Sequence, residues 1–362
     1  MNKYKIIVYA ISKNEENFVD RWVESMKEAD QIYVLDTGSI DNTVSKLKER
    51  GVIVKEEIIN PWRFDVARNK SLELLPEDTD ICVCTDLDEV FEKGWRKKLE
   101  ESWTKNTTRL RYNYNWSFDE YKKPAVNFLL DKIHTRKNYK WTHPVHEILK
   151  CDIEEKFITN ENITLNHFPD SNKSRSSYLK LLELSVKENP EDDRNMHYLG
   201  REYMYYKKWN KCIDTLIKHL NLKTATWKDE RCASMRFIAK SYINLNRIEE
   251  AKMWLLKAIK EAPHLREPYV ELGFIYYNKK DFINTKKTLK KALSITKKYK
   301  TYINEPYSYN GTIEDILSIC EYNLGNYKNA LKYAKKAALL NPDNRIKNNI
   351  KLLKETIKNT MN

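Results

Sequence analysis

Four things are missing from this 362-residue chain, and each absence removes a class of protein. There is no run of eighteen apolar residues, which argues against a membrane-spanning helix. The opening "MNKYKIIVYAISKNEE" holds an apolar run of only five or six residues, too short for a secretory leader and better suited to a first β-strand. The six cysteines are scattered, with no CxxC and no zinc spacing, so they are expected to be reduced, mostly core thiols of a cytoplasmic protein. No RNA-binding signature accompanies the net charge of +13. The lysines are spread along the whole chain, which reads as a solvated surface and not as a nucleic-acid footprint.

What is present divides into two halves. Charged residues at 32% and apolar residues at 41% suit a globular protein, and the length suffices for two cores. Up to about residue 170, strand-like runs alternate with helical patterns: "YKIIVYAI", "ENFVDRWVESMKEA", "QIYVLD", "NTVSKLKERG", "VIVKEEI", "FDVARNKSLELL", "DICVCTD" and "GWRKKLEESWTK". That alternation predicts a parallel sheet covered by helices, with any ligand outside the carboxyl ends of the strands. The loops at those ends are "SKNEE", "DTGSIDNT" and "TDLDE".

After about residue 175 the pattern is helical and repeats. Gly200, Ala239, Gly273 and Ser318 begin the same spacing, with Cys212, Ala251, Thr285 and Ala330 twelve residues on and His219, Ala258, Ala292 and Ala337 nineteen on. Pro263 and Pro342 close two of the four units. Small residues at fixed positions let paired helices approach closely. The spacing resembles the tetratricopeptide repeat, a helical hairpin of about 34 residues. The resemblance implies an all-α array over 173–362 that binds a peptide, another protein or a second copy of the chain, following an α/β domain over 1–172.

The chemistry concentrates in the first half. Asp86 and Asp88 follow "ICVCT". On a continuing strand, residues two apart face the same way, and two carboxylates so placed call for a cation between them. Oxygen ligands suit Mg2+ or Mn2+, which would neutralise a departing diphosphate. Asp36 ends another strand, where it would accept hydrogen bonds from a nucleobase or ribose, while Gly38, Ser39 and Asp41 suit a turn and a helix cap. Arg68 stands near a helix start as a diphosphate partner, or as an ion pair with Asp65.

Together "ISKNEE", "LDTGSIDNT", "FDVARN" and "CTDLDE", in this order and spacing, resemble the family-two glycosyltransferases of GT-A fold over roughly residues 4–150. The resemblance implies a Rossmann-like nucleotide-sugar-binding domain, a nucleotide-sugar donor (a UDP-sugar before others), and inversion at the anomeric carbon. Carried over by position, Ser12 and Asp36 line the nucleotide pocket and Arg68 approaches the diphosphate. Asp86 and Asp88 then hold ribose, diphosphate and Mn2+ or Mg2+.

One segment departs from the family pattern. In place of a downstream Glu-Asp pair the chain has "KWTHPVHEILK". A subgroup with C-terminal helical repeats carries a similar Trp…Val-His-Glu segment; the sublancin-type peptide S-glycosyltransferases and some lipopolysaccharide-core glucosyltransferases stand near it. That similarity implies His146 as a third metal ligand and Glu147 as the base for the acceptor. Tryptophan often stacks on sugar rings, and Trp141, beside this segment, is the best placed of the first-half tryptophans to serve as a sugar or acceptor platform. Adjacent residues of an extended segment face opposite ways, so both roles need a turn, which Pro144 allows. The plainer readings are a structural His146 and a capping Glu147. His143 matches the subgroup less well, and His167 reads as structural. The acceptor implied is a peptide or protein side chain, or else a cell-envelope glycan. The rivals are a repeat scaffold carrying a degenerate transferase domain and a glycoside hydrolase with paired carboxylates.

Overall fold

In the computed structural model, which describes residues 3–170 and 177–361, every residue of the first strand is buried. That strand, β1 (Ile6–Ser12), is followed by α1 (Val19–Met26), β2 (Gln31–Asp36), α2 (Thr43–Glu49), β3 (Ile53–Glu56), α3 (Phe64–Glu73) and β4 (Ile81–Cys84). Then come β5 (Glu89–Phe91), α4 (Trp95–Ser102), β6 (Arg109–Phe118), β7 (Pro124–Thr135), β8 (Tyr139–Thr142), β9 (Ile148–Cys151), β10 (Phe157–His167) and α5 (Tyr178–Glu188). The four strands and four helices expected up to α4 are all present.

The chain divides into two compact units, Met1–Ser185 with Lys300–Tyr302, and Val186–Tyr299 with Ile303–Asn362. The boundary expected between 172 and 173 lies outside the described residues.

In the first unit eight strands form one sheet in the order β3-β2-β1-β4-β7-β6-β10-β5, and β8 and β9 form a separate hairpin. The first four strands are parallel to one another. The sheet as a whole is mixed, which corrects the expectation of a parallel sheet: β7 runs antiparallel to both β4 and β6, and β5 antiparallel to β10. The reason is local. A turn of five residues joins β6 to β7, with the Asp119 and Lys123 backbones hydrogen-bonded across it, and so short a connection permits only an antiparallel return.

Alternation along β1 supplies both faces of the sheet. Ile6, Val8 and Ala10 pack with Trp22 and Met26 of α1 and Trp95 and Leu99 of α4. Ile7 and Tyr9 face the other way, against Leu72 of α3, Cys82, Cys84, and Trp141 and Leu149 of the β8–β9 hairpin. All six cysteines are free and five are buried.

The second unit contains α6 (Asp193–Tyr205), α7 (Trp209–Asn221), α8 (Lys228–Asn244), α9 (Ile248–Glu261), α10 (Glu267–Asn278), α11 (Phe282–Ser294), α12 (Thr312–Asn323), α13 (Tyr327–Leu340) and α14 (Asn344–Met361). The first eight pair into four hairpins. Asp192 and Asp281 cap α6 and α11 by accepting the backbone N–H three residues on. The eight residues at the twelve- and nineteen-residue positions of the repeat are buried without exception. They sit where paired helices touch: a Cβ built on Gly273 would stand 2.6 Å from Leu289 Cδ2 of the facing helix. Arg236, buried, is held by Glu271 at 2.7 Å, Glu305 at 3.0 Å and Tyr307 at 3.1 Å. Among the described residues, no helix is long and apolar enough to cross a membrane.

Candidate active site

The parallel strands β1 and β2 end in register, at Ser12 and Asp36, while β4 ends at Cys84 opposite Tyr9; the loops singled out in the sequence leave from those ends. Register pairs Ser12 with Asp36, and Ser12 Oγ donates to Asp36 Oδ2 at 2.8 Å. Ser39 Oγ donates to the same oxygen at 2.5 Å, while the N–H groups of Gly38 and Ser39 donate to Oδ1 at 3.0 and 2.8 Å. Gly38 sits at φ +102°, a conformation that favours glycine. Asp36 is 1% exposed, and its carboxylate shapes this turn. The turn is tied to the first loop through Asn14, whose N–H donates to Ser39 Oγ and whose Oδ1 accepts from the Ile40 N–H. Asp41 supports α2 from one residue before its cap, accepting the Thr43 N–H at 3.0 Å.

The Asp-x-Asp segment does not continue β4. The strand ends at Cys84, and residues 87–88 form a turn closed by the Glu89 N–H on the Asp86 carbonyl at 3.0 Å. The Asp86 N–H in turn donates to Glu89 Oε2. Asp86 and Asp88 are therefore not alternate residues of one strand, and the two carboxylates have different neighbours. Asp86 receives Arg68 Nη2 at 2.5 Å and Lys132 Nζ at 3.2 Å. Asp88 Oδ2 lies 3.4 Å from His167 Nε2. His167 is held by the Trp116 carbonyl through Nδ1, and its ring stacks on the Trp116 ring at 4.4 Å. His167, read from sequence as structural, thus stands beside the Asp-x-Asp turn. Lys132 carried no signal of its own: a lone lysine on a strand looks like any other until the sheet is folded.

Helix α3 is the clasp of the site. Its Phe64 N–H donates to the Pro144 carbonyl at 3.0 Å. Arg68 Nε donates to Glu147 Oε1 at 2.9 Å, and Asn69 makes two bonds to the Trp141 backbone, each 2.9 Å. "FDVARN" therefore grips "WTHPVHE". The bend expected at Pro144 is present, with His143 at φ +79° and His146 at φ +53°, a region costly for non-glycine residues. It turns Glu147 to Arg68, while the His146 ring meets Tyr178 edge-on at 5.8 Å.

Arg68 is 3% exposed and committed to Asp86 and Glu147, with Asp65 paired to Arg63 instead. Trp141 is 2% exposed. Its ring lies under the Arg68 guanidinium at 5.6 Å, and its Nε1–H donates to Tyr9 Oη at 2.9 Å. Tyr9 Oη is 2.8 Å from His134 Nε2, and His134 Nδ1 is 2.7 Å from the Thr135 carbonyl. Read with each hydroxyl and N–H donating onward, this relay fixes the Trp141 ring. The ring offers no open face to an acceptor; exposed aromatics by the turn are Trp116, at 46%, and Phe168, whose N–H donates to the Asp88 carbonyl.

Burial alone would raise the Asp86 pKa, but the Arg68 guanidinium and then the Lys132 ammonium outweigh it and hold the carboxyl well below its usual range. The same carboxylate, opposing burial, raises Lys132. Burial raises Glu89. Burial opposes the charged form of His167, yet Asp88 prevails and raises its pKa.

Residues 7–151, which include every group just described except His167, Phe168 and Tyr178, match the family described as glycosyl transferase family 2. This part of the chain is a family 2 glycosyltransferase domain. Residues 237–265, 267–299 and 316–344 match the tetratricopeptide repeat. The transferase domain is thus followed by repeats, and hairpin α6–α7, before the first matched stretch, repeats the close glycine–leucine contact at Gly200 and Leu216. No curated protein matches the chain in sequence. Solved structures similar to part of it include MamA, at 18% identity over 46% of this chain and 87% of that one, TM-score 0.37. Another is a thermophilic TPR protein of Thermus thermophilus, at 18% over 49% and 89%, TM-score 0.36. The Cut9–Hcn1 complex matches at 17% over 51% and 33%, TM-score 0.40.

The transferase domain has donor chemistry that fits a hard divalent cation: Asp86, with its side chain 34% exposed, and Asp88 offer carboxylate oxygens from one turn. His146 is not gathered with them, since the three residues do not bring ligand atoms within 4.8 Å of one another.

Proposed function

We propose that this glycosyltransferase moves a sugar from a nucleotide-sugar donor, a UDP-sugar first, to a peptide or protein side chain, with inversion. The observation that carries the reading is Arg68, which ties Asp86 of the Asp-x-Asp turn to Glu147 of the His-Glu bend. Asp86 and Asp88 would hold Mn2+ or Mg2+, which would supply neutralisation of charge on the leaving diphosphate. The turn built by Ser12 and Asp36 receives the nucleotide. Glu147 takes the acceptor proton, held in place by Arg68. A cysteine acceptor needs that help least, because its ordinary pKa is about 8.5. Trp116, exposed beside His167 and Asp88, is the aromatic surface for sugar or acceptor. The repeats support a protein or peptide acceptor, since such arrays commonly bind other chains.

The test is a donor screen on the full chain with UDP-, GDP- and TDP-sugars and Mn2+, read by thermal shift and by released nucleotide. One donor class should stabilise the protein and be slowly hydrolysed, and Asp88→Asn should fold but lose turnover. Release from no donor, by wild type, would overturn the reading. A Cys- or Ser-rich peptide should gain one hexose mass in the presence of that donor; gain on glycan acceptors alone points to an envelope glycan instead.

A further inference from the structure

The nineteenth position of the repeat is alanine in three hairpins, Ala258, Ala292 and Ala337, and histidine in the first, His219. A polar ring in a place shaped for a methyl group needs partners. His219 on α7 and His197 on α6 are fully buried, and Glu230 on α8 nearly so. Ligand atoms of these three residues lie within 4.8 Å of one another. Ser234 Oγ stands between the rings, 2.7 Å from His197 Nδ1 and 3.0 Å from His219 Nδ1. That accounts for one nitrogen of each imidazole. Neither Nε2 has a hydrogen-bond partner. His219 Nε2 is 3.5 Å from Glu230 Oε1, beyond a good hydrogen bond.

We propose that His197, His219 and Glu230 form a buried divalent-metal site, suited best to Zn2+, that fastens the first hairpin of the array to α8. Imidazole nitrogen and carboxylate oxygen are ordinary zinc donors. Ligands about 2.0–2.2 Å from a tetrahedral ion stand roughly 3.3 Å apart, so the 3.5 Å gap suits a shared ion better than a shared proton. For both Nε2 lone pairs to point at a metal, both Nδ1 atoms must carry hydrogen. Ser234 Oγ can accept both bonds and turn its own proton away, which sets both tautomers at once. A water would complete the coordination. With no exposure at either histidine, the ion's work is structural. The site lies apart from Asp86 and Asp88 in sequence and differs from them in donor chemistry: nitrogen-rich and closed, against oxygen-only and partly open.

The test uses the full-length, untagged chain, stripped of metal with a strong chelator and reloaded with Zn2+ or Co2+. Reloading should bind one Zn2+ per chain by mass spectrometry, raise Tm by several degrees, and with Co2+ give the intense visible bands of tetrahedral coordination. His219→Gln should lose that ion and the Tm response. Asp88→Asn should keep both, which separates this site from the catalytic one. Ser234→Ala should fold and bind zinc about 10- to 100-fold more weakly. Equal zinc content and equal Tm response in wild type and His219→Gln would overturn the proposal. Should His219→Gln not fold, wild type decides: no bound Co2+, or only weak octahedral bands, means the trio is a hydrogen-bonded core cluster and no metal site.

Discussion

Arg68 donates to Asp86 at 2.5 Å and to Glu147 at 2.9 Å, so one buried guanidinium spans two carboxylates from separate loops. The planar fork makes this geometry available; a lysine ammonium is a single point charge. Arg68→Met should destabilise the protein by about 3 kcal/mol, the low end for breaking a buried pair, because Asp86 is partly solvated. Arg68→Lys should recover much of that stability but little turnover. Urea midpoints with donor hydrolysis rates check both. Arg68→Met within about 0.5 kcal/mol of wild type, the usual range for surface changes, contradicts the clasp.

His134 gives a pH dependence of known sign. Burial pushes its pKa down to about 3, against about 6.5 unfolded. Between those values the unfolded chain binds more protons. The stability from keeping His134 neutral is therefore full above about pH 6.5 and lost as pH falls toward 3, with a slope up to about 1.4 kcal/mol per pH unit. His134→Phe should be less stable at pH 7, because Tyr9 loses its acceptor, yet show a shallower loss from pH 7 to 5. Urea titrations at several pH values give the two slopes, and equal slopes would assign the pH dependence elsewhere.

Gly273 tests the repeat packing. Alanine favours a helix over glycine by about 1 kcal/mol. The added Cβ would meet Leu289 Cδ2 at 2.6 Å and Cγ at 2.9 Å, and overpacking of this kind costs about 1–3 kcal/mol. Gly273→Ala should therefore come out destabilised by about 1 kcal/mol. Leu289→Ala should cost less in that background than alone. Thermal unfolding of the four proteins measures the coupling, and a more stable Gly273→Ala contradicts the close approach.

The sequence shows much of the frame through two periodicities. Buried strands such as "IIVYAIS" and amphipathic helices such as α1 announce themselves, and the small residues at Ala251, Ala258 and Ala292 mark where helices touch. The mixed sheet was less visible, because β7 inserts between β4 and β6 and only the β6–β7 turn betrays its direction. At the site, the sequence places the right loops at the right strand ends but not their wiring. Asp86 and Asp88 look like a strand pair until Glu89 folds back to close a turn. Trp141 looks like an open platform until Tyr9 and Arg68 enclose it. These contacts join residues far apart in the chain, and no local pattern encodes them.

The central claim is that Arg68 makes Asp86 and Glu147 one functional unit. A double-mutant cycle on Arg68→Lys and Glu147→Gln, read as kcat/KM for nucleotide-sugar turnover with an acceptor, measures it most directly. Glu147→Gln alone should leave donor binding nearly intact and lower turnover of a hydroxyl acceptor by about 10²–10⁴-fold. If the two residues act together, adding Arg68→Lys should cost far less than it does alone, a coupling of at least about 1 kcal/mol. Effects that add to within about 0.5 kcal/mol would mean that Arg68 and Glu147 serve separate ends, and that the ion pair between them is structural only.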